Sequence, residues 1–166
     1  WKDIVAQQPD LWIWMGDNIY GDTHDMQLLE AKYDLQKSHP DYQALLQSTK
    51  VIGTWDDHDY GINDGGKFYI KKKESRELAA DFLGIPPKAP LRKREGMYDA
   101  YELGQAPHKV KIILLDTRYF RDTLKTSNSK EQRYIVNEEG DILGEEQWQW
   151  LEKELKKSDA SIHIIG

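Results

Sequence analysis

The sequence predicts an α/β domain in which buried strands alternate with helices. Three short apolar runs have the length and composition of strands inside a sheet: Leu11–Met15, Val51–Trp55 and Val110–Leu115. Segments with helical spacing of apolar residues lie between these runs, and this alternation is typical of α/β proteins. The 166 residues have the size of one domain, and six Trp and nine Tyr indicate a packed interior. We therefore expect a single domain over residues 1–166.

The helices follow from the spacing of apolar residues and from helix-ending signals. Prolines and glycines stand at the ends of several helical patterns. The predicted helices are Lys2–Gln8, Met26–Lys37, Asp41–Ser48, Phe68–Leu83 and Glu145–Lys157. In the last of these, the spacing predicts that Trp148, Leu151 and Leu155 share one face.

The remaining segments are predicted as loops or weaker strands. Residues 56–66 contain three Gly and four Asp and read as a loop, residues 84–96 as a basic, proline-rich loop, and residues 123–137 as a polar segment. We expect Arg92, Lys93 and Arg94 of the basic loop to be solvated rather than to steer substrate. Residues 97–103 alternate weakly, and residues 161–165 predict an edge strand with His163 in the core.

Composition excludes several classes of protein. The net charge of −6 argues against generic nucleic-acid binding, which needs an excess of Lys and Arg. An acidic protein can still act on phosphate esters when bound cations supply positive charge. The absence of Cys excludes disulfides and Cys-ligated zinc within these residues. No apolar run reaches the ~20 residues of a membrane span, and no signal peptide is visible.

Acidic residues follow each of the three apolar runs. Asp17 comes after the first, Asp56 and Asp57 after the second, and Asp116 after the third. Functional residues of open α/β sheets lie beyond the carboxyl ends of the strands. Carboxylates that meet there repel one another unless a cation keeps them ionised, and hard metal ions with oxygen ligands meet that need. The pattern predicts a shared metal site.

Two motifs carry these residues. In Gly16–Asp22 (GDNIYGD), Asp17 projects from a tight turn and Tyr20 is close enough in sequence to reach the same site, although a plain turn would explain the glycine–aspartate pair. In Trp55–Asp64 (WDDHDYGIND), three Asp surround His58, which can act as a metal ligand or a proton donor. Together with Asn63, this second cluster favours a functional site.

These blocks resemble the signature motifs of PhoD-like phosphatases, in the metallophosphoesterase superfamily. The motifs at residues 16–22 and 54–66 carry the resemblance, and residues 114–122 (LLDTRYFRD) and 142–155 (ILGEEQWQWLEKEL) resemble further blocks in the same order. The resemblance extends over essentially the whole chain. It implies a four-layer α/β sandwich with a mostly buried mixed sheet, and a metal-dependent hydrolase of small phosphate esters, of the alkaline phosphatase or phosphodiesterase type.

The resemblance also implies roles for individual residues. Asp17 corresponds to a carboxylate that bridges a ferric ion and a calcium ion, although other divalent metals are possible, and Tyr20 corresponds to a ferric ligand. His58 corresponds to a phosphate-facing group, and Asp57 to a metal ligand. Whether Asp56 or Asp57 is the metal ligand stays open, and so does the question whether Asn63 is a further ligand. Arg118 either grips a phosphate oxygen or forms a structural pair with Asp116.

The sequence departs from the family pattern in two places. The family has a Cys ligand on an earlier strand and Asp and His ligands in a later block, and neither is present here. We therefore expect an internal fragment that carries the central part of the site, binds metal weakly and has little activity alone. The alternative is a truncated or degenerate domain that binds without turnover. The family is often extracytoplasmic or secreted, and no prediction of location or oligomeric state follows from these residues.

Overall fold

The apolar runs form strands and most helical patterns form helices. The computed structural model describes residues 1–166. Its helices are α1 (Lys2–Ala6), α2 (Met26–Lys37), α3 (Pro40–Ser48), α4 (Asp57–Tyr60), α5 (Lys72–Phe82) and α6 (Gly144–Lys156). Its strands are β1 (Leu11–Met15), β2 (Lys50–Thr54), β3 (Asp99–Leu103), β4 (Val110–Leu114), β5 (Lys125–Thr126), β6 (Tyr134–Ile135) and β7 (Ile162–Ile165). None of the helices has the length and apolar character needed to cross a bilayer.

The strands form three small sheets. β1 and β2 are parallel, with Met15 opposite Thr54 at their carboxyl ends. The second sheet has the order β3-β4-β7, in which β4 is antiparallel to β3 and parallel to β7, so that it is mixed as expected. β5 and β6 make a separate short hairpin within the segment predicted as polar loop.

The two larger sheets pack against each other between two helical layers. One face of the β1–β2 sheet, with Ile13 and Ile52, meets Ile112 and Leu114 of β4. The other face carries Trp14, which packs with α1, α2, α3 and α5. The far side of the second sheet meets α6. Because strand side chains alternate between faces, each sheet can bury both faces in this way. The result is the four-layer α/β arrangement that the family resemblance implied.

The second sheet is less completely buried than predicted. β7 is exposed along its whole length, including Ile162, Ile164 and Ile165, as expected for an uncovered edge strand. His163 is exposed too, so its predicted core position is wrong. The physical reason is that β7 is the edge strand of its sheet and pairs only with β4.

Two predicted helices differ from the observed ones because of tertiary contacts. α5 begins at Lys72 rather than Phe68, since Lys67 donates its backbone N–H to Arg121 O at 2.9 Å and the segment turns there. In α6 the buried residues are Gln147 and Leu151, whereas Trp148 and Leu155 are exposed. Gln147 is drawn inward because its side chain bonds both the N–H and the carbonyl of Asp116 at 2.8 Å.

The basic loop is held in place rather than solvated. It contains one 3-10 turn, Pro90–Lys93. Arg92 bonds Glu77 at 2.9 Å and also pairs with Asp81 of α5. Arg94 lies 4.3 Å from the ring centroid of Tyr98. The two arginines therefore anchor the loop to the fold, and only Lys93 of the three basic residues is exposed, so the predicted solvated loop is wrong for both arginines.

The stability of the helical layer should depend strongly on Leu45, which is buried in it. Leu45 of α3 is 0% exposed, whereas Leu35 of α2 is 74% exposed. We expect Leu45→Ala to lower the free energy of unfolding by about 2–5 kcal/mol, because it leaves a cavity. The same substitution at Leu35 should change it by less than about 0.5 kcal/mol. Urea unfolding of both variants, with unchanged m-values, checks this, and equal losses would contradict the layer assignment.

Candidate metal centre

The acidic clusters meet at one end of the sheets, as the strand directions require. β1 and β2 run parallel, so that Asp17 and the Asp56–Asp57 pair emerge on the same side. Thr54 links this end to the second sheet, because its hydroxyl lies 3.1 Å from Met97 O and 3.2 Å from Leu115 O. The predicted convergence of the strand ends is confirmed.

The turn after β1 is built around a glycine. Gly16 has φ +110°, and an added Cβ would lie 2.5 Å from the Cβ of Asp56. Only glycine permits both this backbone conformation and this close approach. Asp17 follows with φ +49°, an uncommon conformation for a residue with a side chain. The turn thus brings the backbone of the first motif directly against the start of the second.

Asp17, Asp57 and His58 form a cluster of possible metal ligands. One ligand atom from each of these residues lies within 4.8 Å of the others. Asp17 Oδ1 is buried and has no hydrogen-bond partner. A buried carboxylate oxygen without a donor is costly, and a cation would satisfy it. The donor set, two carboxylates and an imidazole, therefore fits a hard or borderline metal ion.

Asp57 is held by its surroundings in the ionised state. It lies in α4, a short helix within the segment predicted as a loop. Asp57 Oδ2 accepts the N–H of Asp64 at 2.6 Å, and Oδ1 lies 3.8 Å from Arg118 Nη2. Burial by itself would raise the pKa of Asp57, but the Asp64 N–H and the Arg118 charge outweigh it and lower the pKa. An ionised Asp57 is available to a cation.

Asp59 has a structural role that joins the two motifs. It is fully buried, and burial raises its pKa well above the ordinary value. Its Oδ1 accepts the N–H of Asp56 at 2.7 Å, and its Oδ2 accepts the N–H of Asn18 at 3.3 Å. Because one carboxyl group bonds both backbones, it fixes the turn after β1 relative to the start of α4.

His58 has a partner that the sequence did not identify. Its Nδ1 lies 2.8 Å from both oxygens of Asp22, and this hydrogen bond raises the pKa of His58. The backbone carbonyl of His58 in turn accepts the N–H of Gly21 at 3.0 Å. With Nδ1 bound to Asp22, the Nε2 atom is left for a metal or a substrate. Asp22 stands in the first motif, but no spacing rule singled it out.

The other predicted ligands lie at the edge of the cluster. Tyr20 is exposed, and its ring centroid lies 4.5 Å from that of His58. Lys32 of α2 donates to the carbonyls of Tyr20 and Gly21 at 2.9 and 2.8 Å, which fixes this loop. Asn63 is exposed, and its amide nitrogen donates to Asp64 Oδ2 at 2.9 Å.

Asp56 and Arg118 form an ion pair beside the cluster. The guanidinium Nε of Arg118 donates to Asp56 Oδ1. Arg118 Nη1 is buried without a partner. The fully buried Asp116 bonds the backbone N–H of Arg118 at 2.8 Å, not the guanidinium. The alternative of a structural pair between Asp116 and Arg118 therefore does not form through their charged side chains, and the Arg118 guanidinium lies beside the cluster instead.

Comparison with known proteins gives a family and a fold. A family model described as "PhoD-like phosphatase" matches residues 1–166. A solved structure of PhoD superposes with a TM-score of 0.68 at 19% sequence identity, and it covers 94% of this chain. The chain spans 35% of the length of that PhoD structure. No curated protein matches the sequence.

Proposed function

The chain belongs to the PhoD-like phosphatase family, and on that premise we propose that the protein hydrolyses small phosphate esters with the help of bound metal ions. The observation that carries this proposal is the cluster of Asp17, Asp57 and His58 at the carboxyl ends of β1 and β2. Its buried, unpartnered carboxylate oxygen indicates a place for a cation. The same cluster lies next to Arg118, whose charge suits an anionic substrate.

We propose that Asp17 and Asp57 hold the metal ions, with Tyr20 reaching the same site. Iron and calcium are the metals that the family resemblance implies, and carboxylate and phenol oxygens suit both of them. Bound metals would polarise the phosphoryl oxygens and activate a water molecule. A dinuclear site needs more ligands than these side chains offer, so we expect residues 1–166 alone to bind metal weakly and to turn over little substrate.

His58 and Arg118 would act on the substrate itself. Asp22 holds the Nδ1 atom of His58, so that Nε2 can donate a proton to the departing ester oxygen. Arg118 lies against Asp56 and close to Asp57, where its remaining N–H groups can orient a phosphoryl oxygen. We propose that Asp56 positions this guanidinium instead of binding metal, because its Oδ1 oxygen already accepts Arg118 Nε.

Metal removal is the direct test of the proposed function. We expect the full-length protein to contain bound metal after purification and to hydrolyse 4-nitrophenyl phosphate. Dialysis against a chelator should abolish that activity, because the clustered carboxylates lose their cations, and iron with calcium should restore it. Elemental analysis and initial rates measure both effects. The alternative, a domain that binds without turnover, predicts bound metal with no hydrolysis of mono- or diesters.

A further inference from the structure

We propose that a cavity beside the metal centre binds an apolar group of the phosphate ester, an aromatic ring or a short alkyl chain. This cavity, called here the hairpin cavity, has a volume of about 460 Å³ and lies between the β5–β6 hairpin and residues 62–70. The inference rests on the proposed function, and it adds the class of substrate that the site prefers. The apolar residues that line it are Ile62, Phe68, Tyr69, Ile70, Leu124 and Tyr134.

Two segments of the cavity wall are bonded to the loops of the metal centre. Asp64, in its wall, donates its backbone N–H to Asp57 Oδ2 at 2.6 Å. His24, which also lines the cavity, follows Asp22, the partner of His58, by two residues. Thr23 between them donates its N–H to Gly61 O at 2.6 Å, so both segments are tied together. On this proposal, the apolar group of an ester held at the metal centre would extend past Asp64 toward this cavity.

The acidic residues of the cavity wall are already paired. Asp64 Oδ2 accepts the hydroxyl of Tyr134 at 2.6 Å and lies 3.1 Å from Arg133 Nη1. Asp122 forms an ion pair with Lys67. The negative charges of these carboxylates are therefore balanced by neighbouring groups and offer little attraction to a cationic ligand. What the cavity presents is aromatic and aliphatic surface, which suits an uncharged apolar group.

The mouth of the cavity leaves large apolar side chains in water. Phe68 is 72% exposed and Ile70 is 80% exposed. Both stand in the turn before α5, whose backbone is fixed by the bond from Lys67 N to Arg121 O at 2.9 Å. A ligand ring or chain laid against them would remove apolar area from water, and no movement of the main chain is needed. The size of the cavity is also within the range of small-molecule sites, roughly 300–1,000 Å³.

The experiment uses the full-length protein with its metals and two diesters that share the 4-nitrophenyl leaving group. One carries a methyl group as its second substituent and the other a phenyl group. We expect a lower KM for the phenyl ester, and Phe68→Ala and Ile70→Ala should each raise that KM roughly 3- to 10-fold. The KM of the methyl ester should change by less than about 2-fold, with kcat retained for both. Val136→Ala is the matched control, because Val136 is 78% exposed and does not line the cavity.

A binding measurement separates this inference from the proposed function. Calorimetry should show tighter binding of phenylphosphonate than of methylphosphonate, and Phe68→Ala should remove most of the difference. Binding preference without any turnover of esters would support the cavity and contradict the proposed hydrolase. Turnover without a preference for the phenyl compounds would overturn the cavity alone. A Phe68→Ala variant that unfolds more easily but keeps the wild-type preference would show that Phe68 does not contact the apolar group, and it would overturn the inference too.

Discussion

Asp17→Asn should abolish most of the turnover of the full-length protein while leaving the fold intact. Asp17 Oδ1 is buried without a hydrogen-bond partner, so its charge is the feature that calls for a cation. Replacing even an outer partner of a metal ligand typically costs about 10- to 100-fold, and loss of Asp17, which we propose as a ligand itself, should cost roughly 100-fold or more in kcat/KM. Metal content should fall together with activity, as elemental analysis of the purified variant would show.

A matched control separates this effect from a general loss of charge. Asp34 of α2 is exposed and stands on the surface of the helical layer, so Asp34→Asn removes one carboxylate without touching the cluster. We expect its kcat/KM and metal content to equal those of the wild type. Near-normal activity in Asp17→Asn, with the metals retained, would show that the cluster of Asp17, Asp57 and His58 is not the catalytic centre.

His58→Ala should lower kcat strongly but leave more metal bound than Asp17→Asn does. A positioned proton donor contributes about 100- to 10,000-fold to rate, and the loss should fall in that range. The one side-chain partner of the Asp22 carboxylate is His58, whose Nδ1 atom lies 2.8 Å from both of its oxygens. We therefore expect Asp22→Asn to cost a smaller factor, roughly 10- to 100-fold, as the loss of an orienting partner does.

The double variant of Asp22 and His58 tests whether the two residues act as one unit. If Asp22 works through the imidazole, adding Asp22→Asn to His58→Ala should cause no further loss of kcat. Asp25→Asn is a useful control in the same region, because Asp25 caps α2 through the N–H groups of Gln27 and Leu28 and does not contact His58. Multiplicative losses in the double variant would show that Asp22 has a separate role, such as stabilising the loop.

Patterns within the sequence predicted the strands and the end of the sheet where the site lies. The runs at Leu11–Met15 and Val110–Leu115 became β1 and β4 almost residue for residue, because a strand buried between layers must be apolar on both faces. Acidic residues directly after such strands had to emerge at one edge, which brought Asp17 and Asp57 together. The family resemblance supplied the four layers, which spacing could not.

Contacts between distant residues explain what the sequence patterns missed. The pairing of His58 with Asp22 joins residues 36 positions apart, and that of Arg118 with Asp56 joins residues 62 positions apart. Gln147 became a buried residue of α6 because it bonds Asp116 from another element. None of these bonds produces a pattern of residue spacing in the sequence, since each depends on how two distant segments pack together.

The sequence by itself thus determined β1, β2, β4 and β7, most helices and the residues that form the acidic cluster, because local periodicity and strand direction constrain them. Its motifs, and not its periodicity, indicated the family. Only the tertiary structure decided which carboxylate meets which partner. It assigned Asp57 to the cluster and Asp56 to Arg118, although the two are adjacent in sequence. Successive residues at a helix start point in different directions, so their surroundings are set by packing and not by position in the chain.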